Sequence, residues 1–165
     1  MLGWARAQLG RAGEGVALIR QGLAGLAEVG NRRHITHNLT FLAEAQALDD
    51  KIDDALRTIE EALQANPEEL VFRPNALTCR GDLRLKLGQT ELAETDLRDA
   101  IALSQTMSAK ASELRATMSL ARLLRDTGRR DEARTMLAEI YGWFTDGFDT
   151  ADLKDAKALL DELGV

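Results

Sequence analysis

The chain has 165 residues, of which 29% are charged, and its formal net charge is −6. Leu and Ala dominate its apolar residues and only 4% are aromatic, which favours helices over sheets because β-branched and aromatic residues predominate in strands. An acidic chain repels phosphate backbones, and no apolar run approaches the roughly 20 residues of a membrane span, so we expect neither nucleic-acid nor membrane binding.

The cysteine content and the first residues indicate a reducing compartment. Cys79 is the single cysteine and cannot form an internal disulfide. Residues 1–6 lack the charged leader and apolar stretch of a signal peptide. We therefore expect a cytoplasmic protein.

In chain order, helical periodicity and turn residues predict four helical hairpins followed by one last helix. The hairpins are predicted at about residues 1–29, 35–65, 74–106 and 111–144, and the last helix at about residues 150–163. Their paired helices are predicted at 1–9 and 14–29, 35–48 and 52–65, 74–87 and 91–106, and 111–126 and 131–144.

Residues that commonly cap helices mark several of these boundaries. Pro74 falls in a first turn, where a missing N–H is tolerated, and Thr90 is a predicted N-cap. Asp149 is the predicted N-cap of the last helix, with Phe148 and Leu153 placed as a hydrophobic staple.

The last helix is predicted to cover the end of the repeat array. Its apolar stripe comprises Leu153, Ala156, Leu159, Leu160 and Leu163. The aromatic residues before it are predicted to form core beneath it: Tyr141, Trp143, Phe144 and Phe148.

Small residues recur in four copies along the chain. Ala17, Ala55, Ala93 and Ala133 lie 38, 38 and 40 residues apart. Seven residues later come Ala24, Ala62, Ala100 and Ile140, and twelve residues earlier come Ala5, Ala43, Gly81 and Ala121. Five residues before each stand the predicted turn residues Ala12, Asp50, Gly88 and Gly128. Small side chains let antiparallel helices approach closely, so this pattern predicts stacked helical hairpins.

In these positions the chain resembles the tetratricopeptide repeat family, with a longer period and few of the family's bulky aromatic residues. The resemblance implies a single all-α domain over residues 1–165. We expect a right-handed α-solenoid of hairpins with a C-terminal capping helix, acting as a protein-interaction module.

The last third also resembles a second, narrower group. Residues 112–123, 128–134 and 141–156 are similar to the C-terminal repeat region of bacterial proteins that join an adenylate or guanylate cyclase, or another output domain, to a STAND-type ATPase. The resemblance implies a scaffold or sensor arm in signal transduction. It implies no catalytic residue in these 165 residues.

The inner face of the solenoid is the predicted binding surface, because repeat arrays bind along their concave side. The inward-facing positions are His37, Thr40, Glu44, Asn75, Thr78, Cys79, Asp82, Lys86, Arg115, Met118, Arg122 and Arg125. This groove is acidic in its middle and basic toward its end. The pattern predicts an extended peptide with a basic group over the second and third repeats and a carboxylate over the fourth. The alternative is that these are solvated charges on helix faces.

The first predicted helix offers a different function. Leu2, Trp4 and Leu9 have no upstream helix to cover them. We expect either a piece of a longer protein or a face that forms a homodimer, and the alternative is a short or frayed first helix. Self-association without a peptide ligand is therefore an alternative to groove binding.

Enzyme and metal chemistry form the remaining alternative. His34 and His37 are three residues apart, and Cys79 falls on a neighbouring helix, but a zinc site needs three or four converging ligands. The aspartates at 146, 149 and 152 lack the alternating spacing of a calcium loop and fit helix capping better. No phosphate-binding loop, dinucleotide fingerprint or nucleophile elbow is present. We expect no cofactor, no metal and no catalytic residue.

Overall fold

The computed structural model describes residues 2–31 and 34–164, in which helices follow one another as packed pairs. The α-helices are α1 Leu2–Gln8, α2 Ala12–Glu28, α3 Ile35–Leu48, α4 Ile52–Ala65, α5 Arg73–Lys86, α6 Thr90–Thr106, α7 Lys110–Asp126, α8 Arg130–Tyr141 and α9 Ala151–Leu163. A short 3-10 turn, Leu70–Phe72, precedes α5, and these two ranges contain no strand. The predicted helix start at Met1 lies outside the described residues.

The helix bounds lie close to those predicted. α3 and α4 occupy the predicted ranges, and α5 to α8 each begin one residue early. Pro74 lies in the first turn of α5. The largest difference is at α8, which ends at Tyr141 rather than Phe144.

The four turns within the pairs share one backbone geometry. Gly10, Asp50, Gly88 and Gly128 all have positive φ, between 56° and 82°. In each turn the next residue donates its N–H to a carbonyl five residues earlier, as in Arg129 N to Leu124 O at 2.7 Å. This bond closes a Schellman motif, which places a left-handed residue directly after the helix.

The first repeat therefore starts two residues earlier than predicted. Gly10 is the left-handed turn residue, whereas the predicted Ala12 begins α2, and the predicted Ala17 is exposed. Gly15 takes the close-packed position instead. Because Gly and Ala are both small, the sequence pattern alone could not distinguish the two registers.

Small residues lie where the helices of a pair cross. A Cβ on Gly15 would lie 2.5 Å from the Gly3 carbonyl oxygen, and a Cβ on Gly81 would lie 2.9 Å from Leu97 Cγ. The corresponding Ala55 and Ala133 are fully buried. Close contact at these crossings lets the two helices of a pair pack tightly around the buried core. Each fully buried leucine of that core contributes about 1.5–3 kcal/mol to the free energy of unfolding.

The first helices of successive pairs form the inner layer of the stack. α1 contacts α3, α3 contacts α5, α5 contacts α7, and α7 contacts α9. Each second helix packs on its own partner and on the first helix of the next pair. The array therefore curves with α1, α3, α5 and α7 on its concave side, as in other solenoids.

The start of α9 differs from the prediction. Thr150, not Asp149, is the N-cap residue, and its hydroxyl donates to the Gly147 carbonyl at 2.7 Å. With Thr150 as the N-cap, the staple positions are Asp149 and Lys154, so Phe148 and Leu153 do not form this motif. Phe148 is 47% exposed and packs against the ring of Tyr141. α9 nevertheless buries Leu153, Ala156, Leu159 and Leu163 on one stripe, as expected of a capping helix.

Two further predictions near helix ends were wrong. Gln89, not Thr90, precedes the first residue of α6 as its N-cap. Trp143 is 57% exposed, so only Tyr141 and Phe144 of the predicted aromatic core pack against buried residues. Trp143 instead lies under the Lys110 ammonium, 5.7 Å from the ring centroid.

Candidate peptide-binding groove

The concave layer encloses an open groove of about 860 Å³. Side chains of α1, α3, α5 and α7 line it, and Asp152 of α9 closes one end. A volume of this size is within the range of about 300–1,000 Å³ that is typical of small-molecule and cofactor sites.

Most of the inward-facing positions predicted from the sequence line this groove. They are His37, Thr40, Glu44, Asn75, Thr78, Cys79, Asp82, Lys86, Arg115, Met118 and Arg122. Arg125 does not line it. Trp4, Gln8, Phe41, Ser119 and Asp152 also line the groove, and sequence reasoning did not place them there.

Four of the lining residues occupy equivalent positions of the four repeats. We call Trp4, Glu44, Asp82 and Arg122 the central row, because each directly follows the small residue where the helices of its pair cross. They are 40, 38 and 40 residues apart, the same spacing as the four left-handed turn residues. If Gly10 is taken as the first turn residue, the repeat spacing in the sequence places Trp4 in this row.

Along the groove, the central row passes from an aromatic residue through two acidic residues to a basic one. The Trp4 indole N–H donates a hydrogen bond to Glu44 Oε2. Burial raises the pKa of Glu44, an effect opposed by that hydrogen bond and by the charge of Arg115. Burial likewise raises the pKa of Asp82, opposed by the nearby Ser119 hydroxyl and by Arg122 and Lys86. The middle of the groove therefore holds two carboxylates whose negative charge is incompletely stabilised.

Aromatic rings extend from Trp4 along one wall. The ring of Phe41 lies 5.5 Å from Trp4 and 4.2 Å from His37, measured between centroids. His37 stacks on Phe72 at 4.4 Å, and burial is the main reason that the pKa of His37 is lowered. We call Trp4, Phe41 and His37 the aromatic shelf. It gives the acidic middle of the groove an apolar neighbour.

The basic end of the groove is partly neutralised by α9. Arg115 Nε donates to Asp152 Oδ2 at 2.7 Å, and Arg125 Nη1 donates to Glu162 Oε2 at 2.7 Å. Both pairs join residues 37 positions apart, so α9 runs parallel to α7. Within the described ranges, Arg122 has no ion-pair partner within 4.0 Å. A ligand carboxylate would therefore meet Arg122 rather than Arg115 or Arg125.

Two arginines that follow α7 also have partners in the structure. Arg129 bonds to both oxygens of Glu94 at 2.8 Å and to Glu132. Arg130 donates to the carbonyls of Glu162 and Leu163 at the end of α9. These side chains join neighbouring helices.

The histidines and the cysteine do not converge. His34 Nδ1 lies 3.4 Å from Glu69 Oε1, while His37, part of the aromatic shelf, stacks on Phe72. Cys79 is buried, which raises the pKa of its thiol well above the usual value. Across residues 2–31 and 34–164, no three His, Cys, Asp or Glu side chains are grouped so that they could hold a metal ion.

The residues predicted for self-association lie in two places. Leu2 of α1 is 64% exposed, and Leu9, which directly follows α1, is 81% exposed. Trp4 instead points into the groove, where it contacts Glu44 and Phe41. Of the three predicted residues, Leu2 and Leu9 are thus exposed outside the groove.

A stack of helical hairpins with an open groove on its inner layer defines a tetratricopeptide-like repeat solenoid, a class that generally serves as a protein-interaction scaffold. The tetratricopeptide repeat family model matches residues 114–139, which span most of α7 and α8. No curated protein matches the chain.

Solved structures share the fold over nearly the whole chain. The nearly identical TPR-like repeats of a protein described as a putative kinesin light chain of Podosopora anserina superpose with a TM-score of 0.74 and 19% identity, over 98% of this chain and 81% of that one. A second structure of these repeats gives 0.73 and 20%, over 98% and 82%. MamA (MSR-1 C2) gives 0.52 and 17%, over 99% and 94%. At these identities the likeness concerns the fold. Each helix among the described residues is too short or too polar to span a bilayer.

Proposed function

We propose that the groove binds an extended segment of a partner protein, and that the chain is a protein-interaction scaffold rather than an enzyme. The segment places a basic side chain over Glu44 and Asp82 and a carboxylate over Arg122. The observation that carries this proposal is the central row, in which two partly buried carboxylates and a cation line one open channel.

Electrostatic complementarity supports this orientation. Carboxylates whose ionised form is disfavoured by burial gain most from a ligand cation, because the cation replaces the hydration that they have lost. The exposed Arg122 guanidinium can hold a carboxylate through two parallel hydrogen bonds. One groove thus offers opposite charges at fixed positions, which sets the direction of a bound chain.

The biological setting is part of the same proposal. The resemblance of residues 112–156 to the C-terminal region of cyclase–ATPase proteins supports a role as the interaction arm of a bacterial cytoplasmic signalling protein. The coding sequence upstream of Met1 tests this setting. A cyclase or ATPase domain encoded there would support it, and an upstream stop codon in the same frame would contradict it.

Groove binding is tested with peptides selected from a random dodecapeptide phage library on the immobilised wild-type chain. We expect the double variant Glu44→Gln/Asp82→Asn to weaken the selected peptides at least about tenfold, because a hydrogen bond to a charged group contributes about 1.5–3 kcal/mol. Arg122→Glu should weaken peptides that carry a carboxylate. Isothermal titration calorimetry measures both effects.

Charge changes on the second helices provide the controls. Glu61→Gln on α4 and Arg134→Glu on α8 alter exposed residues outside the groove. They should leave peptide affinity within about twofold. Failure to select any peptide, or equal losses in groove and control variants, would refute groove binding.

Self-association is the second candidate, favoured by the exposed Leu2 of α1 and by Leu9, which directly follows that helix. If this face forms a homodimer, light scattering should show a mass that rises with concentration toward twice 18.1 kDa. Leu9→Glu should then return the chain to a monomer, whereas Leu92→Glu, at an exposed leucine of α6, should not. A constant monomer mass in the wild type would exclude this candidate.

A further inference from the structure

We infer that the acidic middle of the groove is a site for an arginine side chain of the partner, in preference to lysine. The site comprises the Glu44 and Asp82 carboxylates together with the adjoining aromatic shelf. This inference rests on the proposed function and specifies which cation the groove takes.

The carboxylate oxygens are available to a ligand. Trp4 donates to Oε2 of Glu44, and the other oxygen of that carboxylate has no hydrogen-bond donor among the residues described. Among the described residues, the carboxylate oxygens of Glu44 and Asp82 are not among the buried polar atoms that lack a hydrogen-bond partner. Their free acceptor positions therefore reach the groove, on adjacent repeats.

The arrangement suits a guanidinium better than an ammonium. A guanidinium presents five N–H donors in one plane, so it can bond two carboxylates at once while its face lies on an aromatic ring. An ammonium is compact and strongly hydrated, and it loses more hydration in a partly buried site. Trp4 bonds Glu44 and packs on Phe41, and both rings line the groove, to which Met118 adds apolar surface.

Binding of arginine should release protons. Because burial raises the pKa values of Glu44 and Asp82, a fraction of each is protonated above the pH at which exposed carboxylates ionise. A bound guanidinium stabilises the ionised forms and lowers both pKa values. Affinity for arginine should consequently fall as the pH decreases through the raised values. Arg115, Lys86 and Arg122 face the same carboxylates and limit the size of this shift.

The test uses three small probes and a single fluorescent reporter. The full chain carrying Trp143→Phe is titrated with the Nα-acetyl amides of arginine, lysine and the neutral citrulline, which keep their side chains unmodified. This change at an exposed residue leaves Trp4 as the sole tryptophan. We expect saturable quenching with arginine at least fivefold tighter than with lysine, and no saturation with citrulline.

Variants locate the site, and calorimetry in buffers of different ionisation enthalpy counts the protons. Glu44→Gln should weaken the arginine probe at least tenfold and reduce proton release, while Asp99→Asn, at an exposed aspartate of α6, should change neither. Equal binding of lysine and arginine, or an unchanged affinity in Glu44→Gln, would overturn the inference.

The library peptides separate this result from the proposed function. Selected peptides that lose affinity in the groove variants but show no enrichment of arginine would refute the arginine site and leave groove binding intact. Enrichment of arginine that disappears when selection is repeated on Glu44→Gln/Asp82→Asn would support both.

Discussion

Replacement of Asp96 by asparagine is expected to lower the free energy of unfolding by about 3 kcal/mol. Asp96 lies on α6 with 1% of its surface exposed, and it joins two arginines of α5. Arg80 donates Nε and Nη2 to its two oxygens at 3.0 and 2.6 Å, and Arg84 Nη1 donates at 2.6 Å. Loss of the carboxylate would leave two largely covered guanidinium groups without their counter-ion.

The prediction can be checked by urea unfolding followed by circular dichroism. Asp99→Asn is the matched control, because the same substitution three residues along α6 alters an exposed side chain and should cost less than about 0.5 kcal/mol. A cost below about 1 kcal/mol for Asp96→Asn would show that the two arginines find other partners or water.

Substitution of Gly81 by valine should also destabilise the chain, by about 2–3 kcal/mol. A Cβ at this position would lie 2.9 and 3.0 Å from Cγ and Cδ2 of Leu97 and 3.3 Å from the Ala93 carbonyl oxygen. Leu97 is fully buried and cannot move away without displacing its own neighbours. Valine would therefore force α5 and α6 apart in the middle of the array.

Gly22→Val serves as the control for the intrinsic helix preference of valine over glycine. Gly22 lies inside α2, and no atom lies within 4 Å of a Cβ built there. The control should be neutral or stabilising by a few tenths of a kcal/mol. Thermal and urea unfolding measure both variants, and similar stabilities for the two would contradict the close crossing at Gly81.

The capping helix has two roles that the structure links. Its apolar stripe covers α7 and α8, as expected for the end of a solenoid. Asp152 and Glu162 on the same helix bond Arg115 and Arg125. α9 thereby gives Arg115 and Arg125 ion-pair partners, whereas the described residues hold none for Arg122 within 4.0 Å. The charge pattern available to a partner depends on the docking of this helix.

Much of the helical architecture follows from local signals. The bounds of α3 and α4 follow from periodicity and from Asp50, and Gly88 and Gly128 mark turns that require positive φ. The inward positions of α3, α5 and α7 follow from the repeat spacing, because equivalent residues of stacked helices share a face. These features depend on interactions within one hairpin or on the recurrence of that hairpin every 38–40 residues.

The register of the first repeat and the charge of the groove were decided by tertiary packing. Gly15 rather than Ala17 lies at the helix crossing, because only there do two backbones approach too closely for a Cβ. This register places Trp4 beside Glu44. Likewise, Arg115 meets Asp152 only because α9 docks parallel to α7. Sequence spacing thus determined the repeating hairpins and their turns, whereas contacts between distant helices decided which side chains face a ligand with their charge still available.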